Sequence, residues 1–461
     1  MMTRVIRTIC LGLLGLAAGC DGVTPPETLP PPLDAELRQS LQRWGTIPIG
    51  PMPAQDPALV DLGRALMFDK ILSGNRDIAC ATCHLPSQHA ADGLSLAIGT
   101  GGSGGGPART LGPGRQFVPR NAPSLLNGGL GLFYLFWDGQ VARAGFGPPP
   151  PGPGGGGFVT PAGTLLPVVP NILAAQAMFP VTNRREMRGE RGDVDVFGNP
   201  NELAQYDDSQ FVEIWQAIMR RLLALDAYKA KFAAAFPGTA PGQLGFQHAA
   251  ASIAAFQMQA FTETNSPFDR YLNRDDAALT TAQKRGALLF FGKAQCSSCH
   301  NGPFLGGASF ANAGVPQLGP GTGDAAPLDL GRGGLKDQSF YRFAFRVTPL
   351  RNVELTAPYM HDGAFPTLEA VVRHYNDVTL ALRTYDVAQL APELRPLYHG
   401  DDATIGAVLE TLDFRLRRSL DLTDAEQRDL VAFLKSLTDP AARDLSSLTP
   451  TAVPSGLPVG P

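Results

Sequence analysis

Two Cys-x-x-Cys-His motifs constrain this chain more than any other feature of its sequence. The first is Cys80-Ala81-Thr82-Cys83-His84 and the second is Cys296-Ser297-Ser298-Cys299-His300. This spacing is typical of covalent c-type haem attachment, in which two thiols bind one porphyrin and the adjacent imidazole binds the iron. A Cys-x-x-Cys pair alone would also suit zinc or a redox-active dithiol, but the histidine after each pair favours haem. The sequence therefore predicts two haem c groups, with His84 and His300 as iron ligands.

The amino-terminal residues resemble a bacterial export signal. Arg4 and Arg7 precede an apolar run, Ile9–Ala18, which is too short to span a bilayer as a helix. The boundary at Leu16–Cys20 resembles a lipoprotein cleavage site, although an alanine stands where leucine is usual. We therefore expect an exported, periplasmic protein. Whether Cys20 carries a lipid that anchors it to a membrane is left open.

The apolar residues around the two motifs recur at helical spacing, and strand signals are few. Asp56-Pro57 predicts a helix start before the first motif, and Thr280 with Gln283 predicts a capping box before the second. A second capping box, Thr423 with Glu426, begins a closing helix near the carboxyl end. The predicted apolar helix faces are Leu59, Leu62 and Leu66; Phe211, Ile214, Trp215 and Ile218; Ile253, Phe256 and Ala260; Ala287, Leu288 and Phe291; and Leu430, Phe433, Leu434 and Leu437.

These elements predict a mainly α fold, with two cytochrome c-like haem domains packed against each other and long Gly/Pro-rich loops. The predicted order is a signal peptide (1–19), a Pro-rich tether (20–55), an amino-terminal haem domain (56–270), a carboxy-terminal haem domain (271–440) and a tail (441–461). Gly99–Pro107 and Gly145–Gly157 are predicted as surface loops that pack no core. The net charge of −4 predicts no nucleic-acid partner.

Several further runs resemble the bacterial di-haem cytochrome c peroxidases and their MauG-type relatives, from about residue 56 to residue 440. They are Arg120–Leu125, Phe136–Gly139, Phe179–Val181 with Glu186-Met187, Pro349–Asn352 and Ala357–Gly363. The resemblance implies an enzyme that reduces hydrogen peroxide at the amino-terminal haem. The carboxy-terminal haem would relay electrons from a small cytochrome c or cupredoxin.

The resemblance also implies the residues beside the first haem. Splitting the O–O bond needs a group that takes a proton from one peroxide oxygen and returns it to the other. Glu186 matches the distal glutamate of the family, and Gln176 and Pro180 match its two companions. Trp137 matches the tryptophan that lies between the two haems.

Two ligand positions differ from those of the typical peroxidases. Thr100 aligns with the histidine that blocks the distal face of resting peroxidases, which predicts an open, five-coordinate first haem, as in the MauG-type branch. His89 is the nearby substitute, although its place after His84 puts it on the wrong side of the ring. The sixth ligand of the second haem aligns with Tyr375, a tyrosine as in MauG-type enzymes, with His374 as the alternative.

The resemblance implies one calcium ion at the domain junction, held by Asn121 and the backbone carbonyls of Thr356 and Pro358. All three are hard oxygen donors, as calcium requires. His361 is a candidate to contact a haem propionate, and His248 and His399 are expected to be structural or exposed. Relatives are often dimers, so a homodimer remains open.

Two alternatives to the peroxidase remain open at this point. The oxidised haems could withdraw electrons from a protein or organic substrate, as in MauG. The chain could also be a non-catalytic di-haem electron-transfer protein. Glu186 with Gln176, together with the absence of a ligand at Thr100, favours an enzyme.

Overall fold

The computed structural model describes residues 33–130, 132–144, 157–335 and 338–460. These residues form a mainly helical fold, which confirms the predicted fold class. The predicted export signal, Cys20 and most of the Gly145–Gly157 loop lie outside the described residues. Within the described ranges, no helix combines the length and the apolar character that a membrane span needs.

The α-helices are connected by many short 3-10 turns. In chain order they are α1 (Leu33–Arg43), α2 (Pro57–Phe68), α3 (Cys80–Cys83), α4 (Ile172–Ala177), α5 (Phe211–Leu223), α6 (Asp226–Ala235), α7 (Phe246–Ala260), α8 (Pro267–Leu272), α9 (Thr281–Phe291), α10 (Leu368–Asn376), α11 (Val378–Arg383), α12 (Asp402–Glu410) and α13 (Asp424–Lys435).

The strands are very short and pair antiparallel in three small sheets. They are β1 (Tyr134–Leu135), β2 (Val141–Arg143), β3 (Phe158–Val159), β4 (Phe310–Ala311), β5 (Gln317–Leu318), β6 (Phe345–Arg346) and β7 (Tyr398–His399). The sheet orders are β1-β2-β3, β4-β6 and β5-β7. Leu135 lies opposite Val141 in the first sheet, and Phe310 lies opposite Arg346 in the second.

The first hydrophobic core is built around α2 and α7, which pack directly on each other. In the sequence, α2 precedes the first haem motif and α7 follows it. The predicted cap of α2 is confirmed, because the Asp56 carboxylate accepts the backbone N–H groups of Ala58 and Leu59. Trp215 of α5 is buried in this core, as predicted, and its indole N–H donates to the Met178 carbonyl at 2.7 Å.

The second core repeats this arrangement with α9 and α13. Both predicted capping boxes are confirmed: Thr280 with Gln283 begins α9, and Thr423 with Glu426 begins α13. Phe433 is fully buried at the centre of the crossing. Each haem motif therefore follows a helix that is pinned by a closing helix from the same half of the chain.

Each terminal segment of the described chain packs on the core of the opposite half. Leu37 and Leu41 of α1 pack into the second core, and the Trp44 indole N–H donates to the Phe291 carbonyl at 3.2 Å. The prediction of a tether throughout 20–55 is therefore wrong for residues 33–43, because an amphipathic helix buries its leucines there.

The residues predicted as a carboxy-terminal tail pack on the first core instead of the second. Leu445, Val453 and Leu457 are buried in that core. The Ser455 hydroxyl donates to the carboxylate of Asp69 at 2.6 Å. Residues 33–44 and 445–457 thus each cover the half of the chain that is farther from them in sequence.

Candidate haem sites

The first haem motif forms one tight helical turn, α3, whose two thiols line a cavity of about 860 Å³. The Thr82 hydroxyl oxygen accepts the Ala79 N–H at 3.0 Å, which holds the start of the turn. The backbone N–H of His84 donates to the Cys80 carbonyl at 3.0 Å. Cys80, Cys83 and His84 therefore face the same cavity from one wall.

The His84 imidazole is oriented for binding iron. Its Nδ1 lies 3.1 Å from the Ala90 carbonyl. Because a carbonyl only accepts, Nδ1 carries the proton and Nε2 keeps a free lone pair, as proximal ligands require. Burial lowers the His84 pKa to about 4, so the ring is neutral. His89 instead places its Nδ1 at 3.1 Å from the Ala442 carbonyl and does not line the cavity.

A buried cation on the cavity wall tests whether the site fits a haem. Arg346 donates through Nε to the Phe136 carbonyl at 3.1 Å, but its Nη1 has no hydrogen-bond partner among the described residues. Burial alone lowers the Arg346 pKa to about 10, and no carboxylate opposes the shift. A buried unpaired charge is costly, and a haem propionate would neutralise it. The thiol pair, the imidazole and this guanidinium together fit haem c.

Glu186 faces the same cavity from an unusual backbone turn. Residues Arg184–Arg188 form a π-helical turn, a feature frequent at functional sites. Asn183 begins it, because its side-chain oxygen accepts the N–H groups of Arg185 and Glu186 at 3.0 and 3.2 Å. Burial raises the Glu186 pKa to about 7, although the positive charge of Arg120 opposes the shift. This carboxyl can therefore hold or release a proton near neutral pH.

Gln176 and Pro180 line this cavity with Glu186, as the resemblance implied. Gln176 comes from α4, whose start is capped by Asn171, and Pro180 opens the short turn that follows. The cavity therefore brings together three predicted distal residues and the His84 motif.

Thr100 does not line the cavity and is held on the outer side of the Glu186 turn. Its N–H donates to the Glu186 carbonyl at 2.8 Å, and its hydroxyl donates to Asp77 at 2.7 Å. The other Asp77 oxygen accepts the Gly101 N–H at 2.6 Å. These contacts fix the loop in place, and a threonine hydroxyl that donates to a carboxylate is not poised to bind iron.

Arg109 also holds the loop that contains Thr100. Its guanidinium donates to the carbonyls of Ile98, Gly99 and Gly104 at 2.7–2.8 Å. A Cβ at Gly99 would lie 1.9 Å from the Arg185 carbonyl oxygen, so the close approach requires glycine. The prediction of Gly99–Pro107 as a surface loop is therefore wrong at its start, where the glycine lets the backbone pack on the Glu186 turn.

Trp137 lies at the junction of the two halves. Its indole N–H donates to the Asn121 carbonyl at 2.9 Å, and its own carbonyl accepts the Arg346 N–H at 2.7 Å. The side chain lines the cavity. Arg120 reinforces the junction, since it donates to Asp138 from its own half and to Asp329 from the other, both at 2.6 Å.

The predicted calcium ligands all line this cavity. Asn121 donates its side-chain N–H to the Leu94 carbonyl at 2.7 Å, which leaves its amide oxygen available. Thr356 and Pro358 also line this cavity. Within the described residues, no group of three or more His, Cys, Asp or Glu side chains could hold a metal ion. Any cation here would be held by neutral oxygens.

The second haem motif repeats the proximal geometry of the first. Cys296–Ser298 forms a 3-10 turn, and the His300 Nδ1 lies 3.0 Å from the Leu305 carbonyl. Nδ1 again donates, which leaves Nε2 free for iron. Burial is the main cause of a lowered His300 pKa.

Tyr375 and His374 are consecutive on α10 and point in different directions, because adjacent helical residues are about 100° apart. His374 is buried, and its Nε2 lies 2.9 Å from the Ala313 carbonyl. Tyr375 is close enough to the second motif that Cys299 and Cys296 add to the effect of burial in raising its pKa. Tyr375 therefore lies near the second haem motif, whereas His374 has its Nε2 on the Ala313 carbonyl and a buried Nδ1 without a partner among the described residues.

The remaining candidate histidines are held by backbone groups or rings. His361 is buried and stacks on Phe345 with ring centroids 3.5 Å apart, and it does not line the cavity. The His248 Nδ1 accepts the Gly245 N–H at 3.0 Å. The His399 Nε2 lies 3.0 Å from the Gly319 carbonyl.

Sequence reasoning missed Arg346, Asp77 and Arg109. Arg346 lies just before the resemblance run at Pro349, and nothing local marks it as an unpaired cation. Asp77 precedes the first motif by only three residues, and Arg109 follows a glycine-rich stretch, so a search for charged residues flanking such loops could have found both.

Comparison with known proteins agrees with this arrangement. The family model for di-haem cytochrome c peroxidase matches residues 57–277. The methylamine utilization protein MauG of Methylorubrum extorquens is 30% identical over 417 residues, covering 90% of this chain and 88% of that protein. The cytochrome c551 peroxidase of Pseudomonas aeruginosa is 30% identical over 333 residues, covering 72% and 74%.

A solved structure shares the fold. The crystal structure of a MauG-like protein associated with microbial copper homeostasis aligns with a TM-score of 0.57 and 26% identity, covering 87% of this chain and 95% of that one. Two haem c motifs, one cavity with a buried carboxyl and these relatives lead to one conclusion. The chain belongs to the di-haem cytochrome c peroxidase family, whose members are oxidoreductases that carry two c-type haems and use peroxide.

Proposed function

We propose that Glu186 is the acid–base residue of peroxide reduction in this chain. When bound at His84, haem c supplies the iron that receives peroxide and the electrons that cleave it. Glu186 takes a proton from one peroxide oxygen and returns it to the other, so that the leaving oxygen departs as water. The observation that carries this role is a buried carboxyl, with a pKa raised to about 7, in the cavity that also contains the His84 motif.

The neighbouring residues support this role in different ways. Gln176 offers an amide in the same cavity as the carboxyl, and Pro180 begins the short turn before Glu186. Trp137, at the junction of the halves, is proposed to shorten the electron path between the haem positions. Its indole is held by the Asn121 carbonyl.

The experiment is steady-state peroxide reduction by Glu186→Gln. General acid–base groups contribute about 10²–10⁴-fold, so we expect kcat to fall by a factor in that range with haem content unchanged. The matched control is Glu190→Gln, an exposed carboxylate four residues later. A Glu186→Gln protein with the parental rate would contradict the proposal.

We further propose that the first haem position is open in the resting ferric protein. Support comes from Thr100, whose hydroxyl donates to Asp77, and from the Arg109 contacts that hold its loop. Electron paramagnetic resonance of the oxidised protein should then show one high-spin and one low-spin signal. Two low-spin signals without a high-spin one would contradict an open site.

The second candidate function is MauG-like oxidation of a protein or organic substrate. It is supported by Tyr375, which lies near the second motif; an anionic oxygen ligand there would help hold higher oxidation states of iron. Rapid mixing with peroxide separates both enzymes from a non-catalytic carrier, which would show no fast spectral change. Product analysis with and without a reduced donor then separates the two enzymes.

The remaining expectations belong to the same proposal. We propose export to the periplasm, and one calcium ion held by Asn121, Thr356 and Pro358. The available amide oxygen of Asn121 supports the calcium. Lipidation of Cys20 and formation of a homodimer are tested by the mass of the mature protein and by light scattering.

A further inference from the structure

A second cavity, of about 500 Å³, lies beside the one that contains the His84 motif. Its walls come from the segment 47–53 after α1, from residues 128–130 and α4 of the first half, and from Pro303 and Phe304 of the second half. Ile47 and Pro48 are exposed, so the cavity opens to solvent. We call it the junction pocket.

The junction pocket is lined mainly by apolar side chains. Ile49, Met52, Leu130, Leu173 and Phe304 supply aliphatic, thioether and aromatic surface. No acidic side chain is among the described residues that line it. A concave site of this size, with an apolar wall and few polar groups, is typical of small-molecule binding.

Arg143 is the one charged residue among the described residues that line the junction pocket. Its Nε is buried, and its guanidinium forms no hydrogen bond or salt bridge with the part of the chain that the structure describes. Its backbone is fixed in β2, where its N–H donates to the Phe133 carbonyl at 3.0 Å. A cation that is partly buried without a partner favours an anion, and guanidinium groups pair especially well with carboxylates.

Asn171 supplies a second donor to the same pocket. Its side-chain oxygen accepts the Ala174 N–H at 2.9 Å, and its Nδ2 lies 3.7 Å from the Met258 sulfur. A thioether is a weak acceptor, so this amide N–H gains by donating to a carboxylate instead. The pocket therefore combines two donors with an apolar wall.

We propose that the junction pocket binds a small organic anion with an apolar body, of the class of medium-chain carboxylates. The carboxylate pairs with the Arg143 guanidinium and the Asn171 amide, and the apolar body packs on the wall. Gly128 and Leu173 line both this pocket and the larger cavity, so they separate the bound anion from the first haem position. Neither haem motif contributes a residue to the pocket, and the proposal therefore does not depend on the peroxidase function.

The test is calorimetric titration of the two-haem protein with octanoate, octan-1-ol and octylammonium. We expect octanoate to bind with a Kd below about 1 mM. Octan-1-ol and octylammonium should bind about tenfold more weakly or not at all, because neither forms the charged pair with Arg143. From hexanoate to octanoate, affinity should rise about fourfold per CH₂ as more apolar surface is buried.

A carboxylate could instead bind an open haem iron, and saturating cyanide tests this. Cyanide occupies the iron, so octanoate bound in the junction pocket should keep its affinity. Loss of octanoate binding in the presence of cyanide would assign it to the iron and overturn the proposal.

Variants of the pocket locate the binding. Arg143→Gln and Ile49→Glu should each weaken octanoate about tenfold or more, whereas Arg143→Lys should keep part of the affinity because it keeps the charge. The matched controls on α11, Arg383→Gln and Leu380→Glu at a 58% exposed site, should leave the affinity unchanged. Parental affinity in Arg143→Gln, or equal binding of the three probes, overturns the proposal.

Discussion

The two halves of the molecule use the same helix crossing to present a haem motif. In the first half, Gly63 of α2 lies so close to α7 that a Cβ would come 1.9 Å from the Ser252 carbonyl oxygen. In the second, a Cβ at Gly286 of α9 would come 1.9 Å from the Asp429 carbonyl oxygen of α13. In both, a phenylalanine one turn further along the closing helix is the next neighbour, with its Cβ at 2.9 Å.

The proximal histidines repeat as well, whereas the opposite faces of the two sites differ. The first site faces a large cavity with the carboxyl of Glu186, and Tyr375 lies near the second motif. The shared scaffold therefore determines how a porphyrin is held, whereas the residues on the far face of each site set what its iron can do.

The largest expected effect concerns the far face of the second site. Tyr375→Phe removes the hydroxyl proposed as the sixth ligand of the second haem, so we expect the low-spin ferric signal of that haem to be replaced by a high-spin signal. Electron paramagnetic resonance measures this. His374→Gln is the control, since the His374 Nε2 lies on the Ala313 carbonyl while its Nδ1 has no partner among the described residues; a Tyr375 ligand predicts that this variant retains the low-spin signal. The opposite pattern would assign His374 as the ligand.

The next largest effect is expected from the carboxyl of Glu186 in the first site. Glu186 must be ionised to accept a proton, and burial raises its pKa to about 7. We therefore expect kcat/KM for peroxide to fall about tenfold per pH unit below about pH 7 and to level off above it. A pH–rate profile measures this. If Glu186→Gln keeps the same dependence of kcat/KM on pH, a group other than Glu186 titrates, which contradicts the proposed role of this carboxyl at the first site.

The third prediction concerns the buried cation of the first site. Arg346→Gln removes the positive charge proposed to face a propionate, so the reduction potential of the first haem should fall while that of the second stays constant. Loss of a charged hydrogen bond should also lower the unfolding free energy by about 1.5–3 kcal/mol. Redox titration and chemical denaturation measure the two effects.

The control for Arg346 is Arg332→Gln, a buried arginine of the same junction that stacks on Phe310 and donates to the Asp138 carbonyl. It should lower the free energy of unfolding without changing either potential. Equal shifts of the potential in both variants would show that the junction, rather than a propionate contact, causes the effect.

The smallest expected effects test the shared scaffold. Gly63→Ala and Gly286→Ala should each lower the free energy of unfolding by about 1–3 kcal/mol, because the added methyl overlaps a backbone carbonyl. Gly406→Ala on α12 is the control: its Cβ would meet nothing within 4 Å, so it should stabilise the helix by about 0.5–1 kcal/mol. Clearly unequal losses at Gly63 and Gly286 would show that the two crossings are not equivalent.

Local chemistry explains why much of the fold could be predicted. The caps at Asp56, Thr280 and Thr423 form between residues two or three apart, so their patterns are complete within a short stretch of sequence. Helix α1 was not predicted because it follows a proline-rich stretch and buries only two residues, Leu37 and Leu41. Its leucines gain their stability from a core more than 200 residues away.

In the candidate site, too, some features could be predicted from local sequence and others depend on long-range packing. The motif residues Cys80, Cys83 and His84 could be read from spacing, and Glu186 from resemblance alone. That Glu186 shares a cavity with them depends on how the π-helical turn packs on the loop at Thr100. Such packing joins distant segments and leaves no local pattern.

The sequence by itself determined that this chain attaches two haems, because covalent attachment needs only five consecutive residues. The tertiary structure alone decided that Arg346 has no counter-charge among the described residues and that Tyr375 lies near the second motif. Both depend on the direction of a side chain relative to elements distant in sequence. Burial and partner geometry are properties of the folded chain.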